Sequence, residues 1–116
     1  MDHTFDIEEL VEDFNSYKNR VSSSSNELIA HFRSLNIQKG IEGILNFSEG
    51  MDWLVNAHKF FVMNKLSSDL DEQKIIEILS EINNALEKKD YFLVADIFEH
   101  EVKSYFLSLN DVKNSN

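Results

Sequence analysis

The chain has no cysteine, no proline and only three glycines in 116 residues. Without cysteine there is no disulfide framework, no thiol nucleophile and no thiolate metal site. Strands and loop-rich folds place proline and glycine at their turns, so what remains is helices joined by short links. Basic residues are also scarce: 11 Lys and Arg stand against 21 Asp and Glu, a formal net charge of −10. The positive charges form no stripe, and repulsion from phosphates argues against nucleic acid or an anionic membrane surface as partner. No run of about 18 uninterrupted apolar residues occurs, so no transmembrane helix is expected. The opening MDHTFDIEELVED lacks the basic and apolar regions of a secretory signal, which makes a cytoplasmic location the expectation. The length suits one domain with a core of its own.

Apolar residues are densest from Ile41 to Leu66. Spaced about 100° apart, as on an α-helix, Ile44, Met51, Leu54, Val55, His58, Phe61 and Val62 fall on one side. Trp53 and Phe60 fall almost opposite, with Ala57 beside them. A helix that is apolar on two sides needs two sets of neighbours. This one is therefore expected at the centre of the subunit and at the edge of a dimer. Gly43 and Gly50 lie one heptad apart inside it, where each glycine costs about 1 kcal/mol relative to Ala. Close approach of another helix would account for them; otherwise they are tolerated defects.

In chain order the periodicity predicts helices over residues 5–36, 39–66, 70–88 and 91–109, with a frayed tail at 110–116. The first stripe runs Ile7, Leu10, Val11, Phe14, Tyr17, Val21, then Leu28, Ile29, Phe32 and Leu35. It keeps to one face across Ser22 to Ser25, with Ser25 on the core line, which favours one long helix. The rival is a restart through a capping box of Ser24 with Glu27. The third stripe is Ile75, Ile76, Leu79, Ile82 and Leu86. Asp90 caps a fourth helix that buries Tyr91, Val94, Ala95, Phe98, Val102, Tyr105, Phe106 and Leu109. Short links imply antiparallel neighbours, hence an all-α, up-and-down four-helix bundle with two long and two shorter helices. At roughly 28 residues against roughly 19, the long pair would overhang the short pair by about 13 Å. The overhanging apolar ends would want cover, and a second subunit could supply it.

No catalytic, cofactor or metal residues emerge. A carboxylate-bridged di-metal bundle needs Glu-x-x-His pairs, but Leu28, Val55 and Ile97 stand three residues before His31, His58 and His100. Asp96 and His100 read as a solvated surface pair, and His58 as a hydrogen-bonded core histidine. Glu8, Glu9 and Glu12 form E-E-x-x-E, and Glu49 with Asp52 forms E-x-x-D. Together they resemble the magnesium-binding pattern of all-α nucleotide pyrophosphohydrolases, in which paired carboxylates hold Mg²⁺ against substrate phosphates. That enzyme is the alternative function. No G-x-S-x-G elbow or glycine-rich phosphate loop is present.

The segment Glu49-Gly50-Met51-Asp52-Trp53-Leu54 and the later segment from Ala85 to Glu101, with Asp90-Tyr91-Phe92-Leu93-Val94-Ala95-Asp96 at its centre, resemble small uncharacterised all-helical proteins of Gram-positive bacteria. The shared pattern is E-G-x-x-W-L in a central helix and D-Y-x-L-x-A-D-x-x-E-x-E opening the last one. The resemblance marks Gly50, Trp53, Asp90, Asp96, Glu99 and Glu101, and implies no activity. A polar contact to another helix is the physical role expected for Asp96 and Glu101.

Surplus apolar surface decides the functional expectation. Leu93, Ile97 and Leu107 lie off the core stripe of the fourth helix, as Trp53 and Phe60 do on the second. Large apolar side chains outside the core line are enriched at interfaces. The expected interface residues are Gly43, Gly50, Trp53, Phe60, Leu93 and Ile97. The expected function is a non-enzymatic interaction module or small chaperone-like adaptor, a homodimer that binds a helical segment of a protein partner, with no cofactor.

Overall fold

A computed structural model describes residues 6–113. Asp6 caps the first helix, α1 (Ile7–Arg33), its carboxylate accepting the N–H groups of Glu8 and Glu9 at 3.0 and 3.2 Å. Glu8 and Glu9 in the first turn, with His31 and Arg33 in the last, oppose the helix dipole at both ends. The serine run stays helical, and the hydroxyls of Ser23 to Ser25 turn back onto carbonyls of the preceding turn. Ser23 donates to Arg20 O, while Ser24 and Ser25 both donate to Val21 O. No restart occurs at Ser24, and the buried Ser25 is satisfied at 2.7 Å.

The second helix, α2, spans Ile37–Met63, and the third, α3, spans Glu72–Glu87 behind an Asp71 cap. The fourth, α4, is α-helical over Tyr91–Ile97 and Lys103–Ser108, with a π-helical stretch at Phe98–Val102 between them. The architecture is an all-α bundle of four helices with two long members, and there is no strand among the described residues. The expected start at residue 5 lies outside those residues.

The ends of α1 and α2 fall three residues short of expectation, and they close as α3 does. Leu35, Lys65 and Lys89 adopt left-handed backbone (φ 59°, 63° and 56°). The next amides then reach back, Asn36 to His31 O, Leu66 to Phe61 O and Asp90 to Ala85 O, all within 2.8–2.9 Å. This is the Schellman closure, which usually uses glycine. Its absence from these positions hid the helix ends.

The helix at the centre is α1, which corrects the expectation for α2. Val11, Phe14, Lys18, Val21, Ser25, Leu28 and Phe32 are buried along its whole length at alternating spacings of three and four. It packs on α2 along one side and on α4 along the other, whereas α2 meets α3 only lightly. Phe14 meets Phe61 of α2 edge-on at 5.2 Å, and Phe32 stacks on Tyr91 of α4 at 6.1 Å. Such fully buried phenylalanines contribute about 1.5–3 kcal/mol each. The far side of α2 stays in solvent, including Val62, expected in the core but 53% exposed.

The overhang of the long pair is real, but this chain covers it. Leu70 from the α2–α3 connection and Val112 from beyond α4 are buried in the common core, with Leu66 packed against it. Residues 110–113, expected to fray, are therefore docked. They pair through an isolated antiparallel bridge between Ser67 and Lys113 and through the contacts of Asn110 with Asp69. Residues 114–116 of the expected tail lie outside the described residues.

Candidate interaction surface

The seam between α1 and α2 is tight because α2 presents glycine to it. A Cβ on Gly40 would stand 2.6 Å from the Phe32 ring, and one on Gly43 or Gly50 would overlap Leu28 or the Tyr17 hydroxyl. A neighbouring helix does approach Gly43 and Gly50, but it is α1 of the same chain. Beside this seam runs a groove of about 530 Å³. Val21, Leu28 and Phe47 give it apolar lining, and Arg20, Glu27 and Lys39 are among its charged rim. A smaller hollow of about 240 Å³ adjoins it, sharing Tyr17 and Arg20 and reaching Trp53. Burial pushes the Tyr17 hydroxyl above its ordinary pKa, with Arg20 opposing.

Trp53 lies with its ring 6.3 Å from that of Phe14 and 6.0 Å from that of Tyr17, and keeps 38% of its surface in solvent. Phe60 is half-buried against the core and Leu93 is exposed. Ile97 is 3% exposed. Its expected place on an interface between subunits is thus corrected: α4 packs against both α1 and α3, so its buried face is wide enough to include Ile97 beside Val94, Ala95 and Phe98. Sequence reasoning missed Ile41, Leu45 and Met63, which are exposed on α2. Their signal was legible, since all three lie within about 40° of one another, opposite the core face.

A family model described as "Domain of unknown function (DUF8042)" matches residues 9–112. The chain belongs to this family. Comparisons with curated proteins and with solved structures give no match. The DUF8042 match runs past the end of α4 to Val112, so it takes in the docked segment as well as the four helices.

Within the DUF8042 domain the polar residues of α4 reach two other helices. Arg33 of α1 donates to Asp96 at 3.1 Å and to both oxygens of Glu99 at 2.5 and 3.4 Å. That hydrogen bond is the main cause holding the Glu99 carboxyl below its ordinary range. Asp96, Glu99 and His100 form the one grouping of three metal-ligating side chains among the described residues. It is exposed, and the guanidinium already supplies its countercharge. Glu101 turns instead toward Glu81 of α3, and burial followed by the hydrogen bond to that carboxyl raises its pKa. Both expected polar contacts thus exist. His58 Nδ1 lies 2.8 Å from Ser68 Oγ, the hydrogen-bonded arrangement expected of a packed histidine. Glu8, Glu9, Glu12, Glu49 and Asp52 are all exposed, and none belongs to a metal-ligating group of three among the described residues.

Proposed function

We propose that this chain is a non-enzymatic interaction module of the bacterial cytoplasm, which self-associates through the outer side of α2 and takes a helical segment of a partner beside it. One observation carries the reading: α2 leaves Leu45 62% and Met63 81% exposed, with Ile41 and Trp53 partly so, although α1 already covers its other side. Isolated surface leucines need no explanation, but several on one helix point to a contact surface. Glu42, Glu49 and Asp52 lie among them on α2 and are exposed, giving the polar margin that interface cores carry. The groove along α1 and α2 has the size of a binding cleft, and a short amphipathic helix is the kind of ligand that lies in such a channel. A net charge of −10 directs the module toward basic or neutral partners.

The test is light scattering on the full chain at micromolar concentration, with Leu45→Glu and Met63→Glu made together. A dimer that the double variant turns into a helical monomer is the expected result. A wild-type monomer, or a dimer indifferent to both substitutions, would sink the self-association. The enzyme alternative requires Mg²⁺ binding, so a titration calorimetry trace without heat removes it.

A further inference from the structure

Beyond Ser108 the chain becomes extended, with Leu109 at φ −76°, ψ 137°, and lies across α1. Asn15 reads the backbone of Val112 on both sides: its Nδ2 donates to Val112 O at 2.9 Å and its Oδ1 accepts Val112 N–H at 2.8 Å. Lys18, only 2% exposed, donates to Leu109 O at 3.2 Å and to the Asp111 carboxylate at 2.7 Å. Asn19 donates to the same carboxylate at 3.2 Å. On the other side Ser67 pairs with Lys113, and Asp69 accepts both N–H groups of Asn110. Val112 inserts into the core.

These are the devices by which domains read extended peptides: fixed groups hold the main chain, and a small number of side chains give specificity. Main-chain recognition is indifferent to which chain supplies the backbone. Lys18 also interrupts the buried line of α1 between Phe14 and Val21, where a packing helix would call for an apolar residue. An ammonium fits there under a segment that offers it a backbone carbonyl and a side-chain carboxylate.

We propose that Asn15, Lys18 and Asn19, facing the connection at 67–69, form a docking site for an extended segment of a partner protein in which an acidic residue precedes a β-branched aliphatic one. Residues 109–113 are its resident ligand, exchanged for the partner's segment. This site is separate from the outer side of α2. Being tethered, the resident segment acts at an effective concentration of about a millimolar, so a free peptide competes in that range.

The experiment follows Val112 amide hydrogen exchange in the full chain, with a synthetic peptide of the sequence of residues 107–113 and with the same peptide carrying Asp111→Lys. At about 10 mM peptide, protection of the Val112 amide should fall about tenfold with the first and stay unchanged with the second. In parallel, the labelled first peptide should bind full-length Val112→Asp at least about tenfold more tightly than wild type, the resident competitor being weakened. Unchanged protection overturns the proposal, and so does equal loss with both peptides. A dimer that Val112→Asp dissociates but Leu45→Glu with Met63→Glu does not would make a second copy the occupant, and also overturns it. Failure of the α2 interface leaves these readouts untouched.

Discussion

Lys18 Nζ and Asp111 Oδ1 stand 2.7 Å apart, with the lysine side chain 2% exposed and the aspartate 55% exposed. One charge of the pair is out of water and the other is in it. Removing either therefore has unequal consequences. Asp111→Ala leaves a buried ammonium with the Leu109 carbonyl as its partner, at a cost of about 1–3 kcal/mol. Lys18→Met removes the buried charge itself and leaves Asp111 solvated, so it should cost less than half as much. Urea unfolding of both variants checks the order, and equal losses would contradict it.

The same pair sets a pH dependence. The hydrogen bonds from Lys18, then from Asn19, hold the Asp111 carboxyl below its ordinary range. A carboxylate depressed in the folded state stabilises the protein above its unfolded pKa, and that stabilisation is lost as pH falls through the folded value. The melting temperature should therefore drop more steeply below about pH 4 in wild type than in Asp111→Asn. Parallel curves would show that the ion pair contributes nothing.

Replacing an interior helical glycine with alanine ordinarily gains about 1 kcal/mol. Here the sign depends on whether the facing side chain can move. Phe32, against Gly40, is fully buried and stacked on Tyr91, whereas Tyr17, against Gly50, is half-buried and borders the groove. Gly40→Ala should cost about 1–3 kcal/mol by overpacking. Gly43→Ala, meeting the buried Leu28, should fall between, and Gly50→Ala should be near neutral as Tyr17 swings outward. Thermal unfolding of the three variants gives the order directly.

Much of this fold is legible in the sequence. The stripe of α1 crossed the serines, Ser25 fell on the core line, and Gly43 and Gly50 announced a close neighbour. What the sequence hid followed from residues used against their usual grain. Lysine on a core line reads as a break in the line, so nothing in the sequence marks residues 109–113 as the docked segment that satisfies Lys18. Leu35, Lys65 and Lys89 close helices in left-handed backbone while the glycines are spent on packing, so apolar periodicity runs past the true ends of α1 and α2. The central place of α1 was obscured because density of apolar residues, highest in α2, measures exposed surplus as well as buried core.

Left-handed backbone costs a residue with a Cβ about 1–2 kcal/mol. Lys65 and Lys89 are exposed at such positions, so glycine relieves the strain without removing packing. Offset by glycine's greater freedom in the unfolded chain, Lys65→Gly and Lys89→Gly should each raise stability by up to about 1 kcal/mol. A drop in unfolding midpoint for both would mean that the lysine side chains carry contacts that matter more than the strain.

Glu101 owes its position to the π-helical stretch. On an uninterrupted α-helix it would fall within about 20° of Val94, in the core. Val94, Phe98, Val102 and Phe106 recur at intervals of four, which would drift about 120° around such a helix; one extra residue in a π turn restores the line. Val102 thus takes the buried place and Glu101 moves to the edge, where it meets Glu81. Burial raises the pKa of Glu101, and the hydrogen bond with the Glu81 carboxyl, which needs a proton between the two groups, raises it further. A carboxyl raised in the folded state disfavours folding as pH climbs through that raised value, because the unfolded chain ionises first. Glu101→Gln keeps a donor for Glu81 and cannot ionise. It should melt higher than wild type at pH 7, and the two curves should converge below about pH 4, where the wild-type carboxyl is protonated in both states. A constant offset across the whole range would mean that packing, and not the proton, sets the difference.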